Sequence, residues 1–151
     1  METELMGRVL TEAIFTNVSD LLLVRKGLLT DDQVRRVTVD DALVDTGATN
    51  LSLPTRLIQQ LGLDAWGKKH VTTSGGDVVE ATLYGPARLT IQGRDYTADV
   101  LEVPDHVPVL IGQIPLEFLD LVVDARNRRL IGNPAHGGEH MFEMYYELAL
   151  R

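Results

Sequence analysis

The sequence has no cysteine, which excludes disulfides, a thiolate nucleophile and any cysteine-based metal site and leaves the redox compartment open. Basic residues are few beside acidic ones: 14 Lys and Arg against 22 Asp and Glu, a net charge of -8. Phosphate binding needs a basic face, so no nucleic acid is expected as a partner. Long apolar runs are missing as well. Upstream of the central motif the longest is Leu21-Leu22-Leu23-Val24, far short of the ~20 residues that cross a membrane. The opening Met1-Glu2-Thr3-Glu4 is acidic, whereas a secretory signal starts positive and turns apolar. No membrane contact and a cytoplasmic location are the resulting expectations.

What the chain does contain fits one domain over residues 1–151. At 44% hydrophobic and 24% charged, it has the composition of an ordered protein with enough length to bury a core. No internal repeat or low-complexity stretch interrupts it.

The organising stretch is Ala42-Leu43-Val44-Asp45-Thr46-Gly47-Ala48-Thr49, an apolar strand that delivers a carboxylate into a tight turn. A carboxylate beside a core strand is costly unless it is paired or functional. Strands are expected from Gly7 to Phe15, from Val34 to Val39 and from Ala42 to Asp45, the last two forming a hairpin around Asp40-Asp41. Ser19 or Asp20 is placed to cap a short helix running to Lys26, with Gly27 ending it. Asn17-Val18-Ser19 matches a glycosylation acceptor, read as a chance match. Pro54 opens a second helix carrying Leu57, Ile58 and Leu61 on one face, closed by Gly62. Strands then dominate from His70 to Val103, with a glycine-rich hairpin tip at Ser74-Gly75-Gly76-Asp77. Val107 to Ile111 runs into Gly112, and Pro115 opens a helix over Leu116, Phe118 and Leu119. A last hairpin joins Leu121–Asp124 to Arg129–Ile131. In the tail, Met141, Met144, Tyr145 and Leu148 suit a helix face or a strand, and their apolar character predicts burial on the core or across a subunit interface.

Two motifs carry a resemblance. Asp45-Thr46-Gly47-Ala48, followed much later by Val109-Leu110-Ile111-Gly112, resembles the retropepsin-like, single-lobe aspartic proteases over about Val34 to Gly132. The resemblance implies a mainly β, closed barrel with one or two short helices. It implies catalytic Asp45, Thr46 and Gly47, and substrate contacts from Ala48, from the flap at Ser74, Gly75 and Gly76, and from Ile111 and Gly112. Tyr84 and Val78 are further candidate pocket walls. Such enzymes use two carboxylates that share a proton. Since the sequence has a single Asp-Thr-Gly, the second is expected from another copy, in a homodimer with its active site on the two-fold axis. The partner is a polypeptide substrate, and no cofactor or metal is expected. Viral members place two acids after Asp-Thr-Gly-Ala and an arginine after the second motif's glycine; here Thr49, Asn50 and Gln113 stand there, and bacterial-type members are the nearer comparison.

Other readings stay in view. A dimeric β-barrel that binds peptides without cutting them would keep the same fold. His136 and His140 are spaced like a helical zinc motif, but Gly137-Gly138 between them favours a polar loop.

Overall fold

Burial with a period of two organises the molecule, a computed structural model that describes residues 8–147. The chain runs β1 (Val9–Asn17), α1 (Val18–Arg25), β2 (Arg36–Val44), β3 (Leu51–Pro54), α2 (Thr55–Leu61), β4 (Asp64–Thr72), β5 (Val78–Ile91), β6 (Arg94–Val103), β7 (Leu110–Ile111), α3 (Gln113–Leu119), β8 (Leu121–Asp124) and β9 (Arg129–Gly132). Strands pair in the order β1-β2-β7-β3-β6-β5-β4, and β1 also pairs with β5. That extra pairing closes six strands into a barrel and leaves β4 outside as the outer strand of the β4–β5 hairpin. The fold is the mainly β, closed-barrel architecture expected, with a short α-helix at each of the three places the residues predicted, one more than the one or two the resemblance implied. None of the described helices is long and apolar enough to cross a membrane.

Phe15, Leu53, Leu89, Val100 and Ile111 are fully buried inside the barrel. α2 closes one end by burying Leu57, Ile58 and Leu61, and Gly62 ends it in the left-handed conformation at φ 63°, which glycine adopts without steric cost.

The expected hairpin around Asp40-Asp41 is instead one continuous strand. Ala13 pairs with Val39 and Thr11 with Ala42, so Asp40 and Asp41 together oppose Glu12 in a β-bulge. A bulge counts two residues as one, which is why the core-facing positions switch from Val37 to Ala42 and Val44. The sequence rhythm breaks there although the strand does not. A similar shift at Gly85-Pro86 joins Ala81–Tyr84 and Ala87–Ile91 into the single strand β5.

Asn17, rather than Ser19 or Asp20, caps α1: its side chain accepts from the Asp20 amide at 3.0 Å and donates to Leu61 O at 2.8 Å. With only 3% of its surface exposed, Asn17 is unavailable as a glycosylation acceptor. Pro54 precedes α2 as its N-cap instead of occupying the first helical position. The tail forms neither helix nor strand through residue 147. Within the single chain Met144, Tyr145 and Tyr146 are exposed, against the expectation of burial on the core. Met1–Glu4, Gly7 and Leu148 lie outside the described residues.

Candidate active site

Asp45 leaves the end of β2 where β7 runs parallel beside it, Leu43 facing Leu110 and Val44 facing Ile111. Leu43 N donates to Val109 O at 2.8 Å and Asp45 N to Ile111 O at 3.0 Å. These bonds fix the strand up to the carboxylate itself. The turn then closes on the acid: Gly47 N donates to Asp45 Oδ1 at 3.0 Å and Ala48 N to Asp45 O at 3.1 Å. A Cβ at Gly47 would stand 3.3 Å from Asp45 Oδ1, so the absent side chain lets the turn come this close.

The second motif clamps the first from below. The opening N–H groups of a helix have no partner within it, and here the loop after Asp45 supplies them. Gly112 N donates to Asn50 O at 3.0 Å, Gln113 N to Ala48 O at 2.8 Å and Ile114 N to Thr49 O at 3.1 Å. Gly112 is buried, and a Cβ there would lie 2.5 Å from Asn50 O, 2.7 Å from Thr49 C and 2.8 Å from Ala48 O.

Alternation along β2 places Leu43 on the same face as Asp45 and opposite Ala42 and Val44, which are buried. Register carries that face across the barrel wall: Leu10 pairs with Leu43, Leu43 with Leu110, Leu110 with Ser52, Ser52 with Leu101, and Leu101 with Leu83. All are half-buried except Leu10, which is exposed. An apolar stripe thus passes beside Asp45 and ends at the root of the β4–β5 hairpin. There a depression of about 270 Å³ is lined by Asn50, Lys69, His70, Val71, Leu83, Asp99 and Leu101.

The sequence-predicted residues fall into three places. Asp45, Thr46, Gly47 and Ala48 form the turn, with Thr46 and Gly47 exposed. Ser74, Gly75 and Gly76 form the exposed hairpin tip, where Thr73 N donates to Asp77 O at 2.8 Å and Gly76 takes φ 88°. Ile111 and Gly112 lie beneath the turn. Ile111 has no exposed surface, so it supports the floor and cannot line an open pocket; Leu110, its neighbour on the opposite face, takes that position. Tyr84 packs against the core beside Val100 instead of facing the cleft. Val78, 65% exposed, is near the hairpin tip. Leu43, Leu110, Leu101 and Leu83 escaped sequence reading, although counting back two residues from Asp45 identifies Leu43. His136 and His140 do not converge: His136 lies between Asp120 and Glu143, while His140 Nε2 donates to Phe118 O at 3.1 Å.

A closed barrel in which an Asp-Thr-Gly turn is crossed by a hydrophobic-hydrophobic-Gly segment defines a retropepsin-like aspartic protease. The profile of the aspartyl protease family matches residues 32–114, more than half of the chain and both motifs, and the chain belongs to that family. It is an aspartic peptidase. Among solved structures, it is similar to the EIAV protease complexed with the inhibitor HBY-793, at 19% identity over 73% of this chain and 86% of that one, with a TM-score of 0.48. No curated protein matches the chain.

Proposed function

We propose that the protein is an aspartic endopeptidase that works as a homodimer, hydrolysing peptide bonds with a water activated by two Asp45 carboxylates, one from each subunit. The observation that carries this is the lone Asp-Thr-Gly of the sequence, held at an open edge where Thr46 and Gly47 remain exposed. Two-fold symmetry would bring a second Asp45 to the first. Two carboxylates in contact cannot both ionise, so they share one proton.

The ionised Asp45 takes a proton from the bound water, whose oxygen forms a bond to the scissile carbonyl carbon. The protonated Asp45 gives its proton to the carbonyl oxygen, yielding a neutral gem-diol. Collapse of the diol breaks the C–N bond, one carboxyl group protonating the departing amine while the other recovers a proton from the diol. The substrate is an extended polypeptide, with apolar side chains on either side of the cut seated along Leu43 and Leu110. Ser74, Gly75 and Gly76 close over it from the hairpin tip.

Sedimentation alongside cleavage of a mixed peptide library, for wild type and Asp45→Asn, tests the reading. A dimer that cuts only with Asp45 intact, and that a statine-type mimic of the diol inhibits, is expected. The pH profile should be a bell with an acidic optimum, its limbs belonging to the pair of carboxylates. Saturable peptide binding that survives Asp45→Ala, with no cleavage in the wild type, would make the barrel a binding module instead.

A further inference from the structure

The C-terminal segment returns to the barrel through a polar cluster that the peptidase chemistry does not use. Asp120 ends α3 in a left-handed conformation at φ 56°, and its carboxylate is 7% exposed. Oδ1 accepts from Asn133 Nδ2 at 3.0 Å, and Oδ2 accepts from Met141 N at 3.1 Å and His136 Nδ1 at 2.6 Å. The other ring nitrogen, His136 Nε2, stands 3.0 Å from Glu143 Oε1. Arg94 of β6 is the cation packed against this group, and its guanidinium donates to Leu119 O, Asp120 O and Gly138 O at 2.9, 2.8 and 2.6 Å. Beyond the cluster, Phe142 stacks on Phe118 with ring centroids 4.9 Å apart, Phe118 stacks on Tyr96 at 4.9 Å, and His140 meets Phe142 edge-on.

A neutral imidazole has one N–H and one lone pair. Between two carboxylates it can donate to one only and must turn its lone pair toward the other. The imidazolium donates to both.

We propose that His136 is a protonation-gated clasp: as imidazolium it ties Glu143 to Asp120 and straps the segment from Met141 to Glu143 across α3, and as neutral imidazole it releases the strap. Asp120, nearly buried and held also by the Asn133 side chain and the Met141 amide, is the fixed jaw. Glu143, with its side chain 84% exposed, is the jaw that solvent can take. Release uncovers Phe118 on the outer face of α3, the helix whose first turn holds the Asp45 loop, and frees the Phe142 ring that packs on it.

The charges set the working range. Asp120 and then Glu143 push the His136 pKa above the ordinary 6.5. A raised pKa means that the clasp is fully engaged below the ordinary value and is lost as pH rises through the elevated one. At the acid end, the hydrogen bond from His136 holds Asp120 down to about 2, so that its contribution fails only as pH falls through that value. His140 donates to the Phe118 carbonyl and stands outside the carboxylate pair. Tyr96, whose phenol is pushed up by burial, stays neutral throughout.

Backbone ¹⁵N relaxation of residues 141–143, followed with the His136 ring shifts from about pH 5 to 9, reads the clasp directly. In the wild type these residues should be ordered in acid and mobile in base, with a midpoint equal to that of the His136 ring. His136→Gln should abolish the transition. Glu143→Gln should also abolish it, because a neutral amide can donate to the imidazole lone pair or accept from the imidazolium, and the His136 midpoint should move down. Tail order that does not change with pH in the wild type would overturn the proposal. So would a Glu143→Gln variant that keeps the wild-type midpoint.

Discussion

A methyl group at Gly112 would sit 2.5 Å from Asn50 O and 2.7 Å from Thr49 C, and both neighbours are backbone that cannot rotate away. Gly112→Ala is therefore expected to push the Asp45 loop off α3 and to cost about 2–3 kcal/mol, at the upper end of overpacking effects. Urea unfolding checks the stability, and peptide cleavage at a temperature where the variant is folded should still be depressed because Asp45 has moved. A second residue-scale feature is Asp20, 4% exposed, which accepts from Arg35 N at 3.0 Å and from Arg35 Nε and Nη2, both at 2.9 Å. The Arg35 side chain, more than burial opposes it, holds the Asp20 pKa below its ordinary value. A depressed pKa gives stability that is present above the ordinary carboxylate value and lost as pH falls through the lowered one. Asp20→Asn should cost about 1–3 kcal/mol near neutrality and flatten the acid limb of a stability-versus-pH curve. Asp45 and Gly112 were legible because each is part of a contiguous motif. The Asp20–Arg35 pair and the Asn17 cap on Leu61 were not, since partners 15 and 44 residues apart leave no local pattern.

At the scale of elements, most strands were legible from alternation, and their joins were not. β2 was read as two strands because its bulge at Asp40-Asp41 resets the parity of core-facing residues, and only the partner residues on β1 reveal that Asp40 and Asp41 share one place opposite Glu12. The apolar stripe beside Asp45 was missed for a related reason: half-buried leucines on β2, β5, β6 and β7 look like ordinary core until register aligns them. The β4–β5 hairpin behaved as expected at its tip, because Gly75-Gly76 permits the reversal locally. Gly76 sits at φ 88°, and a Cβ added there would meet nothing within 4 Å, so a larger residue meets strain but no collision. Gly76→Val should lower kcat/KM about tenfold or more by stiffening the proposed lid, while the melting temperature of the protein changes little. A comparable loss of both would place the hairpin among the stability-determining parts of the barrel instead.

For the whole molecule, the decisive property is a count. Under the proposed mechanism, a single Asp-Thr-Gly per chain makes each active site the joint product of two chains, and a shared site answers to subunit mixing in a way a private one does not. When wild type is mixed with Asp45→Asn and the subunits exchange, wild-type chains distribute between partners by mass action. With equal amounts, about half of the wild-type chains pair with a variant chain, so activity per wild-type chain should fall to about half; with a threefold excess of variant it should fall to about a quarter. A monomer that cuts by itself would keep its full activity per chain at every ratio. Dilution supplies the complementary reading, because specific activity should fall as the concentration drops below the dimer dissociation constant and recover on reconcentration. Neutral residues at Thr49, Asn50 and Gln113 bear on the same experiment. Gln113 Nε2 donates to Glu117 within its own helix at 3.1 Å, and with uncharged side chains at all three positions the proposed association should change little between low and high salt. Activity per wild-type chain that follows the mixing ratio, with a midpoint of dilution insensitive to salt, would establish a site built from two Asp45 turns and held by neutral contacts.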